Sequence, residues 1–116
     1  MFFELNNRGN HYRDFTYIKD VIKILIKLLK IENFKYDIYN ICSSKPIFIK
    51  KIINRFCKIT GYKLIKNIKK NKLDVYKTYG DNRRIKKLTS LSLNTDFNKG
   101  LLNTIKWYNK IGFKYF

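Results

Sequence analysis

Arg13-Asp14-Phe15-Thr16-Tyr17-Ile18-Lys19-Asp20, with the apolar run 21 to 31 and then Tyr39-Asn40-Ile41 behind it, is the stretch whose reading decides the fold. Asp20 has the chemistry of an N-cap, a carboxylate that accepts from the free amides of a first helical turn, and it predicts a helix over 21–31. Lys23, Lys27 and Lys30 recur at spacings of four and three and make one narrow stripe. Val21, Ile22, Leu25, Ile26 and Leu29 cover most of the remaining circumference, which predicts a helix packed in a core rather than one lying on lipid. Tyr36 to Ile41 then reads as a strand.

Outward from that unit the chain alternates strands and helices, without a low-complexity linker or an internal repeat. Phe3 to Asn6 reads as a short strand. Pro46 fits the opening of a second helix, where its missing N–H costs nothing. Phe48, Ile49, Ile52, Ile53, Phe56 and Ile59 keep helical spacing until Gly61 supplies a stop. Lys63 to Ile68 predicts a strand. Asp81 caps a short helix to Leu88, and Asp96 caps a last helix in which Phe97, Leu101, Ile105 and Tyr108 align. The expected class is α/β.

The residues from Arg13 to Asp20 resemble the RDFTYI-x-D segment of NAD-dependent nucleotide-sugar epimerases and dehydratases. This is the extended branch of the short-chain dehydrogenase/reductase family, and the likeness is to its UDP-glucuronate 4-epimerase type. Tyr39-Asn40-Ile41 with Ser43, Ser44, Lys45 and Pro46 is similar to the family's YNIG-x-S-x-P segment, with Cys42 where glycine is usual. Asp74-Val75-Tyr76-Lys77-Thr78-Tyr79-Gly80-Asp81 resembles its DV-x-x-TYAD segment. Lys86-Lys87-Leu88, Gly100-Leu101 and Trp107-Tyr108 follow in the family's order. The resemblance covers roughly residues 3 to 111 and implies one unit over 1–116. That unit is the C-terminal substrate-binding portion of the extended fold, lacking the N-terminal Rossmann nucleotide-binding part.

What the resemblance implies for chemistry is a UDP-sugar site without its catalytic half. In the intact family enzyme NAD takes a hydride from C4 of the sugar and returns it to the other face. The cofactor turn is a GxxGxxG between strand and helix, where only glycine lets the backbone approach the pyrophosphate. Gly9, Gly61, Gly80, Gly100 and Gly112 are too far apart to form one, so NAD is not expected to bind this chain alone. Tyr62 and Lys66 meet the bare YxxxK spacing but follow Gly61 in a strand-like run, so no catalytic residue is assigned. Arg13 matches the family's diphosphate arginine, a fitting role for a fixed fork of donors. Its bland reading is a surface Arg paired with Asp14. Asn40 either faces the nucleotide or serves its own turn. Asn71-Lys72-Leu73 replaces the family's Arg or Gln, Pro and Gly, so Lys72 stands in for a second phosphate contact without bidentate geometry. Asp74 is placed to accept from a ribose hydroxyl. These departures point to relaxed selection or an altered substrate. Tyr17 and Asp20 are expected to fix the fold, and His11, the only histidine, to sit in an exposed turn.

Composition bounds the alternatives. Among 116 residues there are 21 Lys, 17 Ile and 13 Asn but no Ala and no Gln, the mark of AT-rich codon usage. Much of the net charge of +18 is therefore drift, although it still draws polyanions non-specifically at low salt. Cys42 and Cys57 lack a CxxC or His-rich companion, which argues for reduced thiols in the cytoplasm. No secretory signal is visible, and the run 21–31 falls far short of the ~20 apolar residues that span a bilayer. The implied partners are a UDP-sugar and, where the gene is split, a separately encoded N-terminal Rossmann half; a decayed gene, leaving a remnant with no independent function, and a truncated sequence are the other readings of the missing part. The alternative class is a small basic nucleic-acid-binding protein that holds phosphates with its lysine pairs and stacks bases on its aromatics.

Overall fold

The computed structural model of the protein describes residues 2–32, 37–63 and 65–111. The order is β1 (Phe2–Asn6), a single turn Asn7–Gly9, β2 (Tyr12–Asp14), α1 (Ile18–Leu28), β3 (Pro46–Phe48), α2 (Ile49–Thr60), β4 (Ile65–Lys69), α3 (Arg83–Thr89) and α4 (Phe97–Ile111). β1 and β4 pair in parallel, Phe2 opposite Ile65 through Asn6 opposite Lys69. β2 and β3 pair antiparallel, with Tyr12 opposite Phe48 and Asp14 opposite Pro46, and a parallel bridge from Tyr12 to Lys77 adds a third line to that sheet.

The buried centre is small. Ile24 of α1, Ile85 of α3 and Leu93 form it, with Leu28, Tyr39, Ile41, Leu88 and Leu91 packed around them. Ile24 and Leu28 lie one helical turn apart and so share a face, as do Ile85 and Leu88. The Cα radius of gyration is 17.0 Å. A compact domain of about 100 residues has a radius near 13 Å, so these elements are spread more widely around their small core than in such a domain.

Several helix ends differ from the sequence expectation, each for a local reason. α1 starts at Ile18, three residues early, with Tyr17 as a cap that makes no side-chain bond. Asp20 is inside the first turn, 6% exposed, and its carboxylate instead accepts from the Thr95 amide (3.0 Å) and hydroxyl (2.8 Å). The long-range bond outcompetes the local cap. Pro46 opens β3 rather than α2, because the residues from 46 to 48 pair with β2 before the helix begins. Gly61 does end α2, in the left-handed conformation, with its amide on Cys57 O at 2.9 Å. Asp96 accepts from the amides of Asn98 and Lys99 at 3.0 and 3.1 Å and caps α4 as expected, whereas the N-cap position of α3 is Asn82, and Asp81, one residue earlier, accepts from the Arg83 amide at 2.9 Å.

Residues 37–41 form no ladder, contrary to the strand expected there; Tyr36 lies outside the described residues. The strand-like alternation is nevertheless present, since Tyr39 and Ile41 pack on the core while Ile38 is 80% exposed and Asn40 faces solvent. The apolar face of α1 is a second departure. Ile18, Ile22, Leu25, Ile26 and Leu29 are all exposed, Leu29 by 87%, and only Ile24 is fully buried. The expected core helix therefore presents two apolar sides, of which one is covered.

Candidate functional site

β2 is the frame of the site because its three residues are held from both sides. Tyr12 donates its amide to Tyr76 O at 2.8 Å and accepts from the Thr78 amide at 3.2 Å, while His11 O accepts from the Ile49 amide at 3.0 Å. The Tyr12 ring lies between Phe48, at 5.0 Å, and Tyr76, at 5.9 Å. Strand geometry then sends Arg13 and Asp14 to opposite faces.

Asp14 draws the three separated motifs together. Its Oδ1 accepts from the Ser43 hydroxyl, and its Oδ2 accepts from the amides of Ser44 and Gly80, each at 3.1 Å. Its own amide donates to Thr78 Oγ1 at 3.0 Å. Around it Ser43 N donates to Thr16 Oγ1 (3.1 Å), Ser44 Oγ to Gly80 O (2.7 Å) and Asn82 Nδ2 to Cys42 O (2.7 Å). Gly80 packs tightly here, since a Cβ on it would lie 2.4 Å from Cys42 Sγ and would force that side chain to shift. Further along, the Tyr17 ring packs 3.3 Å from where a Gly100 Cβ would stand, and its hydroxyl accepts from Asn103 Nδ2 at 3.2 Å. Tyr17 and Asp20 thus act as ties between α1 and the α4 region.

On the other face Arg13 does not pair with Asp14. Its Nη1 donates to Tyr12 O at 2.8 Å and Val75 O at 2.6 Å, and its Nη2 makes an ion pair with Asp74 Oδ1. The Arg13 side chain keeps 26% of its surface in solvent. His11 corrects the expectation of an exposed turn residue. It is 8% exposed, with Nδ1 buried, without a hydrogen-bond partner, and 3.8 Å from Asp74 Oδ2.

Asp74 is held at the end of a turn fixed by an amide pair that the sequence reading missed. Asn7 Nδ2 donates to Asn71 O at 2.7 Å, and Asn71 N donates to Asn7 Oδ1 at 3.0 Å. Two asparagines 64 residues apart carry no sequence signal of pairing. Asn7 and Arg8 precede Gly9 in left-handed conformation, with φ of 48°, 59° and 71°. Of the four expected substrate residues, the fold joins Arg13 to Asp74. Asn40 sits apart, donating to Asp81 O at 3.4 Å, and Lys72 is exposed with no partner among the described residues.

The remaining charge chemistry is peripheral. The Arg83 guanidinium, with its backbone amide adding to the effect, holds the Asp81 carboxyl down at about 2. Arg84 pairs with Asp37 and lies 5.3 Å over the Tyr39 ring. No group of three or more His, Cys, Asp or Glu side chains that would hold a metal occurs among the described residues. The residues before α1, α2, α3 and α4 are Tyr17, Phe48, Asn82 and Asp96, so no described helix opens on a glycine turn. Carboxylates at Asp81 and Asp96 further oppose a pyrophosphate there, and these residues do not fit a dinucleotide. Tyr62 stacks on Phe56 outside α2, and Lys66 lies in β4, so that pair does not share a helix.

No protein-family model matches the chain. It is 32% identical over 106 residues to an uncharacterized protein of Methanocaldococcus jannaschii, covering 90% of this chain and 32% of that one. It is 34% identical over 101 residues to a UDP-glucuronate 4-epimerase of Thermodesulfobacterium geofontis, covering 85% of this chain and 31% of that enzyme. The UDP-glucuronic acid 4-epimerase from Bacillus cereus, solved in complex with UDP-glucuronic acid and NAD, superimposes with a TM-score of 0.82. The two are 25% identical, over 93% of this chain and 35% of that one. The chain thus spans about a third of the length of the relatives it matches.

Proposed function

We propose that this chain, which has the fold of the C-terminal substrate-binding portion of the NAD-dependent epimerase/dehydratase family, forms the UDP-sugar side of a nucleotide-sugar epimerase. The observation that carries the reading is Arg13. Its fork is aimed by Val75 O and Asp74 and remains partly open, on a strand fixed by three motifs that the family shares. A guanidinium so held presents its free N–H groups to a diphosphate in one geometry, and phosphate oxygens take up paired donors of that kind.

Asp74 then has two parts. It restrains Arg13, and it offers a carboxylate oxygen to a ribose hydroxyl. Lys72, exposed on the same turn, adds charge beside the phosphates, whereas Asn40 lies on the Asp81 side, apart from that pair. The hydride chemistry belongs to NAD and to acid/base residues on a Rossmann portion of the protein or of a second polypeptide. Two features support such a complement. The α1 face of Ile18, Ile22, Leu25, Ile26 and Leu29 is exposed, and residues 37–41 have strand alternation but form no ladder among the described residues. Contiguous exposed apolar surface of this kind marks an interface. Both described cysteines are free, in keeping with a reducing cytoplasm, and no described helix is long and apolar enough to cross a membrane.

Calorimetric titration with UDP-glucuronic acid tests the reading. Arg13→Ala should weaken binding by about 1.5 to 3 kcal/mol, the worth of hydrogen bonds to a charged group. Arg13→Lys, which keeps the charge and loses the fork, should recover only part of it. Equal binding by all three proteins would return Arg13 to a purely structural role.

A further inference from the structure

We infer a second anion site on the outer face of α2, for a ligand bearing linked phosphates. Lys51, Asn54, Arg55 and Lys58 fall at i, i+3, i+4 and i+7 and so share one helix face. They line a cleft of about 450 Å³ whose other walls are Ile47, Ile52, Phe97 and Asn98. None of the cleft residues carries a carboxylate, and among the described residues the side chains of Lys51, Arg55 and Lys58 make no hydrogen bond or ion pair. Asp96 is adjacent in sequence, but its carboxylate is engaged by the amides of Asn98 and Lys99.

Three like charges within about 10 Å of helix axis repel one another, and like charges four apart destabilise a helix. An anion in the cleft would reverse the sign of that interaction. Linked phosphates fit because their charge repeats along a chain, as the cations do along α2. Arg55 supplies a fork, the two lysines supply point charges, and the amides of Asn54 and Asn98 supply neutral donors. Arg13, Asn40, Lys72 and Asp74 are not among the cleft residues, so this site is separate from the one proposed for the UDP-sugar.

The chain carries a net charge of +18, so the test has to separate a site from a general field. Two triple variants lose the same charge: K51Q/R55Q/K58Q in the cleft, and K23Q/K27Q/K30Q on exposed positions of α1 and its C-terminal turn. Each is titrated at about 150 mM NaCl with inorganic tripolyphosphate and, separately, with a thymidine 12-mer, since salt at that level suppresses diffuse attraction. The cleft variant should bind tripolyphosphate at least tenfold more weakly than the native chain, and the α1 variant within twofold of it. A loss confined to the 12-mer would support the same site with a nucleic-acid strand as the source of the phosphates. Equal weakening by the two variants for both probes, or no binding by the native chain, would overturn the inference.

Discussion

Replacing Asp14 by alanine removes the acceptor on which three segments converge. The carboxylate takes the Ser43 hydroxyl and the amides of Ser44 and Gly80, with the Lys45 amide more distant at 3.4 Å. A hydrogen bond to a charged group contributes about 1.5–3 kcal/mol, and a donor left buried without a partner costs a similar amount. The three close bonds share one group and are only partly buried, so they do not add in full and water replaces some of them. A loss of about 3 to 4 kcal/mol is expected for Asp14→Ala. Asp14→Asn keeps one acceptor oxygen and should lose about half as much, and Ser43→Ala, which removes a single donor, about 1 kcal/mol. Small domains are stable by about 5–15 kcal/mol, and so modest a core puts this chain near the lower limit. Urea unfolding followed by circular dichroism measures the change directly. If Asp14→Ala unfolds within about 1 kcal/mol of the native chain with the same slope, the convergence is decorative and the reasoning fails.

Three other outcomes follow from the geometry. Gly80→Ala should cost about 1–3 kcal/mol by overpacking against Cys42 Sγ, and adding Cys42→Gly should recover most of it, as a double-mutant cycle in urea would register. Arg8→Gly should leave stability unchanged or raise it by up to about 1 kcal/mol, because the φ of 59° is unfavourable for a residue with a Cβ; a clear drop in melting temperature would argue against strain in that turn. The Asp81 carboxyl, lowered from 3.8 to about 2 in the folded chain, lends stability that is complete above pH 3.8 and lost as pH falls toward 2. The difference in melting temperature between the native chain and Asp81→Asn should therefore narrow across that window, and a difference constant over it would dismiss the Arg83 pairing as the cause.

The alternation of elements was legible because it rests on period and punctuation. Gly61 ended α2, Asp81 and Asp96 bonded first-turn amides, and the strand of residues 3–6 appeared. Misreadings came where a distant partner redirected a local signal. Asp20 was taken by Thr95 and Pro46 by β2. His11 lies buried beside Asp74, 63 positions away, and the Asn7–Asn71 pair is as remote, at 64. The apolar breadth of α1 signalled burial, yet periodicity counts apolar faces without saying which chain covers them. Of the site, the motif order gave Arg13 and Asp74 as candidates, while their direct pairing is tertiary and left no trace in spacing.

The contact between Cys42 and Gly80 has a historical side. The family pattern that the chain resembles has glycine at the position of Cys42 and alanine at that of Gly80, so bulk has moved from one partner to the other. A lineage passing between the two states cannot take the steps in either order with equal ease. Shrinking position 80 first opens a small gap, whereas enlarging position 42 first forces sulfur against a methyl group. The accessible route therefore runs through glycine at both positions. The pair thus behaves as one packing unit, in which the bulk tolerated at either position is set by the other.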